Sequence, residues 1–167
     1  METIFKRVSM RRYQDKAVEK EKLEKLVRAG MAAPSAGNQQ PWEFYVVTRK
    51  DLLAELSNTS KYSICVKDAA AAIIPCFRTS AEALMFKECV QLDMSAATEN
   101  ILLEAVELGL GAVWLGVAPV EERMAKVKKC LSLPQDVEAF SIISVGYPAY
   151  EKEVKDRFDP ERVHYLE

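Results

Sequence analysis

One histidine stands in the whole 167-residue chain, His164, close to the end of the sequence. That scarcity excludes a His-rich metal centre and leaves no Ser/His/Asp or Cys/His arrangement to assemble. The four cysteines (Cys65, Cys76, Cys89, Cys130) include no Cys-x-x-Cys pair. Thiols so widely spaced, in a domain of this size, read as reduced and buried rather than as a metal or redox framework. No apolar run approaches the roughly 20 residues that a bilayer span needs. The longest candidate, Ala69–Phe77, is short and contains Pro75. The N-terminus is charged from Glu2 and shows no signal-peptide core, so a cytoplasmic setting is the expectation. Net charge is only −2, which gives no global drive toward nucleic acid or an anionic membrane.

The usual nucleotide loops are missing too. Gly109-x-Gly111 would need a third glycine where Trp114 stands, and it leads into a strand, so the dinucleotide fingerprint fails. There is no Walker loop. No repeat, low-complexity tract or Gly/Ser linker divides the chain, so a single domain over 1–167 is expected.

What is present is periodic. Leu23, Leu26, Val27 and Met31 predict a helix over about 19–32, and Phe44–Thr48 reads as a strand. Asp51 is placed to cap a short helix carrying Leu52, Leu53 and Leu56. Residues 70–76 fit a buried strand or a short apolar helix, and periodicity does not choose between them. The longest helical pattern runs over about 84–108. Val90, Met94, Ala97, Ile101, Ala105 and Leu108 form its stripe, and Gly109 ends it. Asn100 lies on the buried face as a structural amide. A strand over 112–117, a helix from Pro119 to about Cys130 and a strand over 140–145 complete the pattern. About four strands separated by helices argue for helices packed on a mixed sheet.

Two stretches carry chemistry. Ala33-Pro34-Ser35-Ala36-Gly37-Asn38-Gln39-Gln40-Pro41-Trp42 joins a helix to a strand. Its small residues permit close backbone approach, and Ser35, Asn38 and Gln39 offer hydrogen bonds, while the prolines stiffen the loop. Trp42 reads as core packing at the strand entry. Near the N-terminus, Arg7, Ser9 and Arg11 alternate, which on extended backbone aims all three at one side. Two guanidinium forks and a hydroxyl suit a phosphate; a solvated basic helix end and a nucleic-acid arm are the alternatives. Arg12 faces solvent. The chemistry-bearing loops are rich in binding groups and poor in acid–base groups, as expected where a cofactor carries the electrons.

Arg-x-Ser-x-Arg followed by Ala-Pro-Ser-x-x-Asn-x-Gln-Pro-Trp resembles the FMN-dependent nitroreductase family. The resemblance extends through Gly109–Gly116 and Val145-Gly146-Tyr147-Pro148. It implies an α+β sandwich, helices on a mixed, mainly antiparallel sheet of four to five strands, in an intertwined homodimer. The arm 151–167 would pack on the partner subunit. By the same resemblance, Arg7, Ser9, Arg11 and the late Arg157 hold the FMN phosphate and ribityl chain. Pro34, Ser35, Ala36 and Asn38 cover the ring across the dimer, and the backbone at Trp114, Leu115 and Gly116 meets it. Pro119 borders the same edge, and Lys61 and Ser63 are candidates for further edge contacts. Val8 departs from the family pattern, which has a second basic residue there. A solvated tail arginine is the alternative for Arg157.

The implied activity is an FMN-dependent NAD(P)H oxidoreductase. Hydride passes from NADH or NADPH to flavin N5 and on to an electron-poor small molecule such as a nitroaromatic or quinone, and no side chain serves as acid or base. A specialised flavin enzyme of dehalogenase or oxidase type, or a flavin-binding protein without turnover, is the alternative. Neither nucleic acid nor membrane is expected as a partner, and no metal.

Overall fold

Residues 71–78 form a strand, and the apolar run over 71–77 follows from burial on both faces. The computed structural model describes residues 3–80 and 84–166, so Met1, Glu2, Ala81, Glu82, Ala83 and Glu167 of the expected domain and arm lie outside the described residues. Ala72, Ile74 and Cys76 of β2 (Ala71–Arg78) point into one hydrophobic cluster, while Ala71 and Ile73 point into another. Alternation therefore survives, but both alternating faces are apolar.

The sheet order is β1 (Trp42–Val47), β2, β5 (Ser141–Gly146) and β3 (Gly111–Gly116), with β4 (Val137–Ala139) beside the far end of β2. Every named strand pair is antiparallel; the parallel element expected of a mixed sheet shrinks to one bridge, Ser9 to Ala112. Pro75 explains why β4 and β5 are separate strands. It lacks an N–H, so the ladder on that side breaks, and its carbonyl accepts from Phe140 N at 2.9 Å. The Phe140 carbonyl turns instead to the N–H groups of Val117 and Ala118.

Helices cover both faces. On one side α2 (Lys20–Met31) and α4 (Val90–Glu107) pack over Ile73, Ala112, Ile143 and Val145. On the other, α3 (Lys50–Leu56) and α5 (Glu121–Leu131) cover Ile74, Val113, Leu115 and Ile142. A four-residue helix, α1 (Thr3–Lys6), precedes them all.

Several expectations need correction. Asp51 does not cap α3: no side-chain cap bond forms there, and its carboxylate pairs with Arg49, which holds it below the usual carboxylate range. The long helix begins at Val90, after a short turn over Lys87–Cys89, because the chain first detours to meet the loop after α2. The helix expected at Pro119 starts at Glu121. Asn100 is structural, as expected, and donates to the Ala29 carbonyl at the end of α2 at 3.1 Å. Trp42 is buried. All four cysteines are free, as expected, but only Cys76 is buried, while Cys65, Cys89 and Cys130 are half-buried; desolvation pushes Cys76 up to about 12 and Cys130 up to about 11. No helix among the described residues is long and apolar enough to cross a membrane.

Candidate functional site

Segment 9–14 lies along the sheet as extended backbone. Met10 N donates to the Ala112 carbonyl at 2.9 Å, Gln14 N to the Tyr147 carbonyl at 2.9 Å, and Met10 is buried. Alternation then turns Ser9 and Arg11 away from the core. Tyr13 pins the segment from beneath: its hydroxyl lies 2.8 Å from the Met10 carbonyl and 2.6 Å from the Ser144 hydroxyl. Burial raises its phenol above the ordinary range. Arg7 does not share that alternation, contrary to expectation: its N–H donates to the Thr3 carbonyl at 3.1 Å at the end of α1, and its guanidinium is held by Glu99 of α4, Nε to Oε1 at 3.3 Å.

The polar tail folds back toward this segment. Lys152 donates to the Ser9 carbonyl at 3.1 Å. Arg157 and Arg7 line one pocket of about 560 Å³, whose walls include Ile4, Phe5, Val154 and Phe158. Two guanidinium groups thus share a recess with apolar walls, a combination suited to an anion carrying a flat apolar body. A larger groove of about 840 Å³ runs between α2 and the open edge of β1. Its charges, Lys20, Glu24 and Arg28, mix signs over an apolar floor, so it lacks an anion-holding focus.

The loop after α2 is built differently. Gly37, Asn38 and Gln40 adopt φ of 55°, 56° and 46°, left-handed backbone that disfavours side chains. Ser35 Oγ accepts from Gln40 N at 3.0 Å, and Asn38 Oδ1 from Gln40 Nε2 at 3.0 Å. A Cβ on Gly37 would stand 2.5 Å from the Phe86 ring, so glycine is needed there for space as well as for φ. Pro34, Gly37 and Asn38 are exposed, and beside them Met85 and Phe86 expose apolar surface. Strained backbone of this kind gathers at binding sites, where the surrounding bonds over-determine it.

At the end of β3, Trp114 packs on Phe140 with ring centroids 5.7 Å apart. Leu115 sends its side chain into the core under α3 and α5, so it can offer a ligand only backbone. Gly116 is exposed and open: a Cβ there would meet nothing within 4 Å, and its carbonyl accepts from Arg123 at 3.0 Å. From Ala112, beside Ser9, to Gly116 is four residues of strand, about 13 Å. Ser63 is buried against the Ser60 hydroxyl at 2.8 Å, which takes it out of play as an edge contact, while Lys61 and Pro119 stay exposed.

Within one chain, then, the structure brings Arg7 and Arg157 to one recess, with Ser9 on the adjoining sheet edge. It leaves Arg11 exposed and does not bring Pro34–Asn38 to that recess. Glu99 and Asp93 are the residues that sequence reasoning missed. Asp93 had a legible signal, a carboxylate between Val90 and Ala97 on the apolar stripe of α4.

These features define a three-layer α+β protein with a recess lined by Arg7 and Arg157 and, among the described residues, no amino-acid catalytic constellation. A model of the nitroreductase family matches residues 4–88 and 60–147. An Archaeoglobus fulgidus protein provisionally named NADH dehydrogenase/NAD(P)H nitroreductase is 44% identical over 167 residues, covering 98% of this chain and 95% of that relative. The crystal structure of a protein from Clostridium acetobutylicum, provisionally named NADH oxidase, superposes with TM-score 0.94 at 49% identity over 99% of each chain. A provisionally named nitroreductase from Desulfovibrio desulfuricans, solved in complex with FMN, superposes with TM-score 0.86 at 31% identity, covering 99% of this chain and 95% of the other. The chain belongs to the nitroreductase family, and so to the oxidoreductases.

Proposed function

We propose that this chain is an FMN-dependent NAD(P)H oxidoreductase acting as a homodimer in the cytoplasm. The observation that carries the proposal is the recess shared by Arg7 and Arg157, where three cationic side chains, Lys155 included, outnumber the one carboxylate, Asp156, and the apolar walls suit a flavin mononucleotide. When bound, FMN would supply two-electron chemistry between NADH or NADPH and an electron-poor acceptor such as a nitroaromatic or quinone.

The chain's own residues bind and orient. Arg7 and Arg157 take the phosphate oxygens as charge-assisted donors, with Ser9 and Arg11 on the adjoining edge. Arg7, held by Glu99 before the ligand arrives, costs little reorganisation. The exposed loop Pro34, Ser35, Ala36 and Asn38 meets the ring edge of the flavin held by a second copy, consistent with its separation from the recess in a single chain. Trp114, Leu115 and Gly116 contribute backbone, and Gly116 leaves open space for a flat ring. The titratable groups lining the recess are Arg7, Lys155, Asp156 and Arg157; none is placed as a general acid or base, and solvent supplies protons.

The arm over 151–167 supports the dimer. Almost all of its described part, 151–166, is exposed, and Val163, Tyr165 and Leu166 present apolar surface with no core of their own. The apolar groove between α2 and the unpaired edge of β1 is a matching surface on a second copy.

The test is anaerobic reduction. Purified protein reconstituted with FMN is mixed with NADH or NADPH and then with a quinone or nitroaromatic, while flavin absorbance is followed. Bleaching followed by recolouring is expected. Flavin that binds yet stays oxidised with both nicotinamides contradicts the proposal, as does monomeric reconstituted protein in sedimentation.

A further inference from the structure

Asp93 is a buried carboxylate, 4% exposed, that none of the binding roles above uses. It sits in the first turn of α4, where the helix's free amides favour negative charge. One of its oxygens accepts Ala36 N at 2.9 Å, and the other accepts Gln39 Nε2 at 2.6 Å. Gln39 in turn clasps the backbone of Phe86 on both sides. Phe86 N donates to Gln39 Oε1 at 2.9 Å, and Gln39 Nε2 donates to the Phe86 carbonyl at 3.1 Å. One carboxylate therefore ties together α4, the loop after α2 and the segment leading into α4.

Nothing in ordinary chain preference would hold that loop. Left-handed φ at Asn38 and Gln40 raises its energy; Ser35 and Arg78 hold Gln40 locally, while Asp93 and Gln39 fasten the Ala36–Gln39 part of the loop to α4 and Phe86. We propose that Asp93 is the positioning residue that locks the loop over Ser35–Gln40 in the shape that meets the flavin ring. The inference rests on the flavin reading above. An asparagine at this position could still accept from Ala36 N. It would, however, turn an amide NH₂ onto Gln39 Nε2, setting donor against donor, so Gln39 must rotate and release Phe86. A buried carboxylate fits here because both groups facing it are donors.

The experiment titrates the apoprotein with FMN and, separately, with riboflavin, following flavin fluorescence and the visible absorption band of the bound flavin. For Asp93→Asn we expect both flavins to bind about tenfold more weakly, because the ring rather than the phosphate loses its contact. The visible band of the bound flavin should shift. Adding Gln39→Glu to Asp93→Asn restores an acceptor opposite the new amide and should recover part of the affinity. Wild-type affinities and an unmoved band in Asp93→Asn overturn the inference. So does a loss of affinity with an unmoved band and no recovery in the double variant, which marks a role in stability alone. If Asp93→Asn does not fold, Gln39→Leu carries the test, with about fivefold weaker binding of both flavins expected and unchanged binding overturning it. Failure of the flavin reading itself looks different: the wild-type chain would bind neither compound.

Discussion

The N-terminal segment over 7–13 and the loop over 34–40 both offer groups to a ligand, yet they are held in opposite ways. The first rides on the sheet edge, extended from Ser9 on, with Met10 buried and Tyr13 anchored beneath it. Strand alternation presents Ser9 and Arg11, the end of α1 and Glu99 hold Arg7, and what the segment presents is charge. The second leaves the end of α2 through left-handed residues and keeps its shape through side-chain bonds to Asp93, Gln39 and Ser35. What it presents is shape. A flavin nucleotide has one part for each, a phosphate that reads charge and a ring that reads shape. FMN and riboflavin, which differ by that phosphate, therefore separate the two regions experimentally.

The largest effect is expected from the charged region. Arg7→Ala should weaken FMN by about tenfold to a hundredfold, the range for losing a charge-assisted hydrogen bond, and leave riboflavin nearly unchanged. Arg11→Ala, by the same logic, should lower FMN retention on dialysis while the fold persists. Equal losses for FMN and riboflavin in either variant would erase the division of labour. Next comes the shape region. Gly37→Ala puts a Cβ on left-handed backbone beside the Phe86 ring, and an alanine there costs about 1–2 kcal/mol. Thermal unfolding should register that loss, and both flavins should bind more weakly by a similar factor. A selective loss of FMN in this variant would contradict the comparison.

Smaller effects sharpen it. Glu99 holds Arg7 through Nε and leaves the rest of the guanidinium for the phosphate. Glu99→Ala should weaken FMN by about threefold to fivefold, as suits a partly exposed pair, with Glu99→Gln milder because its carbonyl still accepts. Tighter FMN binding in both variants would show that Glu99 repels the phosphate more than it orients Arg7. No effect on flavin binding is expected from Cys76, on the sheet face opposite α2 and α4. Its thiol is raised from 9.0 to about 12, chiefly by burial, so its contribution to stability is complete below pH 9 and is lost as pH rises toward 12. Urea unfolding at rising alkaline pH should show a decline on the order of 1 kcal/mol per pH unit from this group, and Cys76→Ala should flatten it. An unchanged slope would assign the alkaline loss to other groups, Tyr13 first.

Much of the fold was legible because the long elements are strongly periodic. The stripe Val90, Met94, Ala97, Ile101 and Ala105 marks α4, and Gly109, at φ 70°, stands just past its end. Two short elements were not legible. Helix α1 has four residues and β4 three, too few for any period to show. The strand at 71–78 was ambiguous since both its faces are apolar and Pro75 interrupts it. Only the structure shows that the proline coincides with the junction of β4 and β5. At the candidate site, residue types announced Arg7, Ser9 and the small polar loop, because those groups are chemically distinctive. Their supports were hidden. Asp93 and Glu99 act across more than 50 residues of chain in each case, and helix periodicity speaks only of which face is apolar, not of what a carboxylate on it will meet.

The most direct measurement is a parallel titration of the apoprotein with FMN and riboflavin, read by quenching of flavin fluorescence. The account predicts one FMN bound per chain and a clear preference for FMN over riboflavin, with the preference abolished by Arg7→Ala. Folded protein that ignores both flavins, or binds them equally well, would contradict it.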